Sequence, residues 1–423
     1  MADFYLGTDG IRTENKVHNL DACIKCGACS AQCPVSSVNP LFPGPKQAGP
    51  DAERLRLEGV GFAAEVLELC SNCKTCEVTC LSGVKVSEMI LSARIKARAR
   101  GELKENWRQR LRAEVLGRAE QLGRMGTVWP ALANALLGRA WIRYLLELGL
   151  GISGKAPLPF YRKRFDSAVV GDTRLQTSAA KDLVYFPGCF TTHNDPATAE
   201  AVVRVLQHNG YKVIVPPLKC CGVPLAANGR FAAADKKSRY NLRVLLPYLN
   251  NGLPVITACT SCGLALKQDY PRIDAPGADL IGRQTYDLFE FLWALHEEGK
   301  LREEFQQVDV RCGYHAPCHL KSQGIGTPSL RLLRLIPGVR MQDIDAGCCG
   351  LSGSYGFKLE KYEMAMQIGS SLFAKVQHGL NNGEFNEIST ECGVCSTQII
   401  HGTGASCYHP VRILASAYGL ESN

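Results

Sequence analysis

The sequence has 423 residues, too many for one ordinary compact domain, so about two to four are expected. With 46% hydrophobic and 21% charged residues it has ample apolar material for a core. Its 20 cysteines do not suit a small secreted disulfide scaffold, because the chain is large and Met1 to Leu20 shows neither the basic nor the apolar region of a signal peptide. A reducing compartment is expected, where clustered thiols bind metal. The net charge of +8 is uneven, with ten Lys or Arg against four Glu between Arg94 and Arg124. Such a segment suits an anionic membrane surface, an acidic partner, nucleic acid, or simply a solvated helix face.

The N-terminal zone, placed at 1–95, carries Cys23-x2-Cys26-x2-Cys29-x3-Cys33-Pro34 and Cys70-x2-Cys73-x2-Cys76-x3-Cys80. This is the spacing of two-cluster ferredoxins. A loop with a thiolate at every third residue wraps three corners of a cube, and the fourth thiolate points away to complete the other cluster. Cys23, Cys26, Cys29 and Cys80 are therefore assigned to one cubane 4Fe–4S cluster, and Cys33, Cys70, Cys73 and Cys76 to a second. Zinc usually takes two separated Cys-x-x-Cys pairs rather than compact runs of four. Leu81 stands where a proline usually follows the last cysteine; that proline is no ligand, so cluster binding is unaffected. Neither motif leaves an iron without a thiolate, which points to electron transfer, and no catalytic residue is assigned.

Residues 96–180 form a basic, then apolar segment without cysteine. Met125, Val128, Trp129, Trp141 and Tyr144 to Leu146 are interrupted by Arg139, Arg143 and Glu147, too often for a transmembrane helix. Two readings stay open: an amphipathic segment lying at a bilayer surface, or a helical pair packed on a partner or on the chain itself. The segment lacks aromatic stacking platforms and any nucleic-acid motif, so no nucleic acid is expected.

Two repeats, placed at 181–300 and 301–423, follow. The first reads Cys189, Cys220-Cys221-Gly222, Cys259-x-x-Cys262, and the second Cys318, Cys348-Cys349-Gly350, Cys392-x-x-Cys395. Equivalent positions lie about 130 residues apart, the mark of a duplicated unit. In the first, Leu183–Phe186, Val213–Val215 and Leu253–Ala258 read as strands. Ala197–His208 reads as a helix, with Asp195-Pro196 at its start and Asn209-Gly210 at its end. The cysteines then fall just after strands, where open α/β sheets place their sites. The expected fold is a helical two-cluster ferredoxin-like domain followed by two α/β cysteine-rich domains. Adjacent cysteines fit an ordinary cube corner poorly and suit a bridging thiolate, two irons at different edges of an open cluster, a zinc site or a redox dithiol.

This pattern resembles the cysteine-rich (CCG) domain of heterodisulfide reductases, of succinate–quinone reductase variants, and of glycolate and lactate oxidase iron–sulfur subunits. The resemblance implies one or two non-cubane 4Fe–4S clusters, on Cys189, Cys220, Cys221, Cys259 and Cys262, and on Cys318, Cys348, Cys349, Cys392 and Cys395. The stretch from Cys33 to Leu57, with Cys220-Cys-Gly-Val-Pro-Leu225 and Cys348-Cys-Gly-Leu-Ser-Gly-Ser-Tyr-Gly-Phe-Lys358, looks like the C subunit of anaerobic glycerol-3-phosphate dehydrogenase. That resemblance covers nearly the whole chain and is weakest between residues 100 and 180. It implies flavoprotein A and B subunits as partners, and electrons passed from sn-glycerol 3-phosphate oxidation toward menaquinone. It also implies a cytoplasmic chain held peripherally at the inner membrane. A role in a heterodisulfide reductase or a glycolate or lactate oxidase is the alternative. No Gly-x-Gly-x-x-Gly fingerprint for a flavin or nicotinamide nucleotide is read, so flavin and substrate chemistry are expected on a partner and not on this chain. His193, His315 and His319 lie close enough to the motifs to ligate, tune or carry protons, or simply to pack. Cys312 and Cys407 read as buried thiols, and Lys46 as a docking or quinone-side residue.

Overall fold

The computed structural model describes residues 19–166 and 181–420. The signal-peptide expectation for Met1 to Leu20, and the end of the middle segment, fall mainly outside those residues.

The N-terminal unit is built around its cysteines. Two short helices, α1 (Ala28–Ala31) and α2 (Thr75–Val78), each carry the third cysteine of a run and pack on one another. Behind them runs α3 (Val86–Ala99), whose Met89 and Ile90 join Leu20, Val35, Phe42 and Leu67 in a small core. In the proline-rich loop, Pro50 has no N–H to give, and Gln47–Asp51 forms a wide π-type turn.

The middle segment is helical: α4 (Trp107–Gly117), α5 (Ala119–Gly126), α6 (Pro130–Leu137) and α7 (Ala140–Leu150). Asn106 and Gln109 form a reciprocal capping box on α4. Glycines let α4 and α5 lie close to repeat 1: a Cβ on Gly117 would lie 3.1 Å from Leu225, and one on Gly123 2.5 Å from His193. Helices α6 and α7 bury no residue. Val128, Trp129, Leu132, Trp141, Tyr144, Leu145 and Leu148 are all exposed, so this hairpin presents an uncovered apolar surface. Among the described residues no helix is long and apolar enough to cross a membrane. Gly149, Gly151 and Gly154 do carry the Gly-x-Gly-x-x-Gly spacing, which corrects the expectation only in letter. They close α7 instead of joining a strand to a helix, with Gly151 donating to Glu147 O and Gly154 to the Glu147 carboxylate.

Each repeat is a four-stranded parallel sheet of the same topology. The first has β1 (Lys181–Tyr185), β2 (Tyr211–Ile214), β3 (Val255–Thr257) and β4 (Thr285–Asp287) in the order β2-β1-β3-β4. The second has β5 (Val310–Tyr314), β6 (Val339–Asp343), β7 (Glu387–Ser389) and β8 (Cys407–Tyr408) in the order β6-β5-β7-β8. The three strands expected in repeat 1 are present with ends shifted by a few residues, and the fourth strand of each sheet is additional. Helix α8 (Pro196–His208) starts where Asp195 caps it, its carboxylate accepting from Thr198 N–H.

The repeats share one core. Helix α8 packs on α11 (Val411–Ala417) of repeat 2, and α9 (Leu288–Glu297) of repeat 1 packs on α10 (Pro328–Leu333) of repeat 2. By position after the cysteines, α8 corresponds to α10 and α9 to α11, so the contacts are reciprocal. Leu183, Val202, Leu206 and Phe289 meet Tyr314, Leu332 and Leu414 in a single buried cluster. With each fully buried Leu or Phe side chain worth about 1.5–3 kcal/mol, this seam joins the repeats firmly.

Candidate iron–sulfur sites

In both N-terminal runs the backbone makes the same turns. Lys25 (φ 60°) and Asn72 (φ 56°) stand before the second cysteine, and Gly27 (φ 81°) and Lys74 (φ 62°) after it. Three of the four are not glycine, so the loop holds them in a left-handed conformation at a cost. Successive turns of this kind point backbone N–H groups inward and make an anion cradle. Asn72 N–H donates to Cys70 Sγ and Val84 N–H to Cys80 Sγ, both at 3.4 Å. Two arginines brace the loops: Arg54 donates to Cys23 O (3.1 Å), and Arg94 to Leu67 O (3.1 Å) and Cys70 O (3.0 Å). No pattern in the sequence marks these arginines.

The fold brings Cys80 beside Cys23 and Cys29, and their mutual repulsion contributes, after burial, to raising the Cys29 thiol. Cys33 lies with Cys70, Cys73 and Cys76, where burial first and neighbouring thiols second push the Cys76 thiol well up. Cys26 is exposed, as are Ile24, Val78 and Leu81 of the same two loops, whereas Cys33, Cys73 and Cys76 are buried.

In each repeat the first and third strands are neighbours. The chain turns one way after the first and the other way after the third, which leaves a crevice at their carboxyl ends. Cys189 and Cys259 leave β1 and β3 at this point, as Cys318 and Cys392 leave β5 and β7. The loops with Cys220-Cys221 and Cys348-Cys349 close over them. All five thiols of repeat 1 form one chain of contacts, Cys189 to Cys220, Cys221, Cys262 and Cys259, with Cys189 and Cys220 sulfurs 3.8 Å apart. Repeat 2 matches it through Cys318, Cys348, Cys349, Cys395 and Cys392.

The charge pattern repeats too. Cys220 shares hydrogen bonds with Cys189 and Cys221, and Cys348 with Cys318 and Cys349, and these bonds hold both well below an ordinary thiol. Gly350 N–H adds a bond to Cys348 Sγ at 3.4 Å. Gly350 has φ 88°, and a Cβ there would lie 1.9 Å from Ala365 O, so only glycine fits. Cys392 is brought to about 7 by bonds from Cys395 and from backbone N–H groups at the start of its helix. Among the described residues no three His, Cys, Asp or Glu side chains meet as a single metal ion requires. Gathered thiols with inward N–H donors fit a polynuclear cluster, whose irons keep the thiolates apart.

The sites form a series. Cys73 lies close enough to Cys348 and Cys318 for their charges to interact. Lys74 ties the junction, donating to Glu88 (3.2 Å) and to Gln268 of repeat 1 (3.3 Å), while Arg272 of repeat 1 donates to Glu88 (2.7 Å). Gln268 in turn donates to Ser322 O of repeat 2 (3.0 Å). His319 Nδ1 meets Ser261 Oγ at 2.8 Å, so it bridges the repeats. His315 is buried and held neutral, its value lowered by burial to about 4. His193 lines a cavity beside Cys189. Cys312 and Cys407 lie on β5 and β8, and burial pushes each to about 12, so they stay thiols. Lys46 is held by Asp51 at 2.6 Å. Glu120 of α5, unmarked in the sequence, accepts from Cys220 N–H (3.0 Å) and Lys237 (2.7 Å).

Comparison with known proteins agrees with this architecture. The 4Fe-4S dicluster domain family matches residues 19–84, and the cysteine-rich domain family matches 183–267 and again 312–400. The chain is 36% identical over 406 residues to the C subunit of the anaerobic glycerol-3-phosphate dehydrogenase of Escherichia coli (strain K12), covering 94% of this chain and 98% of that one. It is 24% identical to the D subunit of the dihydromethanophenazine:CoB–CoM heterodisulfide reductase of Methanosarcina barkeri, covering 98% of this chain and 99% of that one. The B subunit of the fumarate reductase (CoM/CoB) of Methanothermobacter marburgensis is 32% identical over 219 residues, 51% of this chain and 41% of that one.

Proposed function

The chain belongs to the family of anaerobic glycerol-3-phosphate dehydrogenase C subunits, and from that premise we propose that it is the iron–sulfur electron-transfer subunit of such a dehydrogenase. The observation that carries the reading is the approach of two thiol sets from separate units: Cys73 of the N-terminal unit lies close enough to Cys348 and Cys318 of repeat 2 for their charges to interact. Cys23, Cys26, Cys29 and Cys80 hold one cubane cluster, and Cys33, Cys70, Cys73 and Cys76 the other. The five cysteines of each repeat hold a non-cubane cluster. Bound clusters supply one-electron storage and transfer, at potentials that hydrogen bonds and burial tune.

The chain's own residues do the rest. Arg54 and Arg94 keep the two loops in their cluster-shaped turns, and the Lys74–Glu88–Arg272 contact fixes the distance from the N-terminal unit to the repeats. The exposed Ile24, Val78 and Leu81 of the two cysteine loops offer apolar surface to a flavoprotein partner, the A and B subunits of the complex. The partner oxidises sn-glycerol 3-phosphate, and the electrons leave toward menaquinone at the cytoplasmic face of the membrane. The hairpin α6–α7 supports that location. Its exposed Trp129, Trp141 and leucines lie beside Arg124, Arg139, Arg162 and Lys163, the composition of a surface that rests on an anionic bilayer.

Anaerobic purification with iron and sulfide counts is the first test: about sixteen irons per chain are expected, and about eight would mean the repeats are empty. Co-purification with a flavoprotein that reduces a menaquinone analogue on addition of sn-glycerol 3-phosphate tests the role. The second reading, a heterodisulfide-reductase type subunit, is favoured by the full set of five thiols in both repeats. Reduction of a heterodisulfide by the isolated chain would select it instead.

A further inference from the structure

Helix α5 buries Glu120, Gly123 and Gly126, which recur at every third position and so share one face. Glycine inside a helix is destabilising relative to alanine, yet this face carries two. Both serve a close approach: a Cβ on Gly123 would lie 2.5 Å from the His193 ring, and one on Gly126 2.5 Å from the Tyr161 ring. What the approach brings in is the Glu120 carboxylate.

Glu120 is only 7% exposed, and both its oxygens are bonded. One accepts from Cys220 N–H (3.0 Å) and from Lys237 Nζ (2.7 Å), the other from Arg124 (2.7 Å). Burial opposes the charge, but the bonds from Lys237 and Cys220 outweigh it and hold the carboxyl below its usual range, so it is ionised at neutral pH. Burying a carboxylate is costly even when it is paired. The shape of the loop does not demand it, because neutral groups of repeat 1 already hold the inner side. Asn241 accepts from Lys219 N–H (2.8 Å) and donates to Lys219 O (3.0 Å), and Tyr270 donates to Cys221 O (3.1 Å).

The neighbours show what the charge does. Lys237 reaches in from the helix Phe231–Asn250, is largely buried, and lies near enough to Cys220 to favour its thiolate. Unpaired, it would stand as a positive charge beside the thiols; Glu120 cancels it. Glu120 also occupies Cys220 N–H, which therefore cannot turn toward sulfur. Net charge and hydrogen bonds to sulfur are two of the quantities that set the potential of an iron–sulfur cluster, and here both act in one direction, downward. At the equivalent Cys348 of repeat 2 the charged neighbour is Cys73 of the N-terminal unit instead.

We propose that Glu120 is a positioning residue that sets the potential of the repeat 1 site: its carboxylate fixes the backbone of Cys220 and neutralises Lys237 beside the thiols, so that repeat 1 holds an added electron less tightly than it would beside the lysine alone. The proposal deepens the reading above and rests on its assignment of a cluster to the five thiols of repeat 1. Glu120 takes no proton in this role; it acts through a fixed charge and one hydrogen bond.

An EPR-monitored redox titration of the full-length, cluster-loaded chain tests this, with iron content as the control. Glu120→Gln keeps an oxygen for Cys220 N–H and loses the charge. It is expected to hold an electron at repeat 1 about tenfold more tightly, a rise of about 59 mV for a one-electron step, with the N-terminal signals unmoved. Lys237→Met is expected to shift the same potential downward, and the double variant to return it close to wild type. Opposite shifts that cancel are the mark of charge, whereas a residue that only held the loop would disturb it alike from either side. Should Glu120→Gln shed iron, an unmoved repeat 1 potential in Lys237→Met with full iron would still overturn the proposal. Unmoved potentials in both single variants, with full iron, would overturn the proposal and leave the cluster in repeat 1 standing. A wild type with about eight irons per chain would overturn that cluster and the proposal with it.

Discussion

Arg94 donates to the backbone carbonyl of Cys70 at 3.0 Å, and the same guanidinium reaches Leu67 O at 3.1 Å. Its side chain is buried, so truncation leaves two carbonyls without partners. Arg94→Met is expected to cost about 2–4 kcal/mol of stability, and to lower the iron count by about four per chain as the second loop opens. Calorimetry and iron analysis read both, and a variant with full iron would show that the loop holds its shape unaided.

Gly350→Ala should be far more damaging than Gly222→Ala. Both glycines have φ near 90°, but a Cβ on Gly222 meets nothing nearer than 3.4 Å, while one on Gly350 would lie 1.9 Å from Ala365 O. Gly222→Ala costs roughly 1–2 kcal/mol of backbone strain. Gly350→Ala adds overpacking of about 1–3 kcal/mol and displaces Cys348 and Cys349. Thermal unfolding and iron content of the paired variants would test the contrast; equal behaviour would refute it.

Acid should loosen the seam between the repeats. His409 Nε2–H donates to Ala258 O (3.0 Å), and its Nδ1 accepts from Val411 N–H (3.1 Å), so both nitrogens are committed to the neutral ring. Burial lowers the folded value to about 4, against a small opposing pull from Asp195. The unfolded chain, titrating near 6.5, therefore binds the extra proton between about pH 6.5 and 4. His409's contribution is whole above that window and is lost at about 1.4 kcal/mol per pH unit as pH falls through it. Unfolding free energies of His409→Gln should show a shallower slope by that amount, and parallel curves would contradict the assignment.

Replacing Trp129 and Trp141 with Ser removes the two largest exposed side chains of the α6–α7 hairpin. Affinity for vesicles containing anionic phospholipid should fall on the order of a hundredfold, with unchanged iron content and thermal stability, because neither tryptophan is packed. Flotation assays at two salt concentrations would separate the apolar part from the contribution of the arginines. Full retention of binding would place the membrane contact elsewhere.

Much of this was legible because cysteine spacing and strand ends are local. The two N-terminal runs, the repeated cysteine order and helix α8 with its Asp195 cap could all be read from neighbours in sequence. Strands β4 and β8 could not, since three and two residues carry no periodicity and form only where a sheet edge waits for them. The same holds for Cys73 beside Cys348, for the Arg54 and Arg94 braces, and for Glu120 under Cys220. These contacts join residues far apart in the chain, and their geometry belongs to the packed molecule. For the hairpin, composition showed apolar residues but not that both helices would leave them uncovered.

The reciprocal packing of α8 on α11 and α9 on α10 is the signature of a two-fold axis, preserved inside a single chain. Its consequence is a dimer within one chain, in which two copies of one unit face each other through the same pair of helices and each half carries its own set of five thiols. The halves need not match: one has Gly188, His193 and Ala258 beside its cysteines, and the other Pro317, Ser322 and Glu391 at the corresponding places. The shared core holds both in register while Cys318 and Cys348 face the ferredoxin-like unit and Cys220 faces Glu120 of the middle segment.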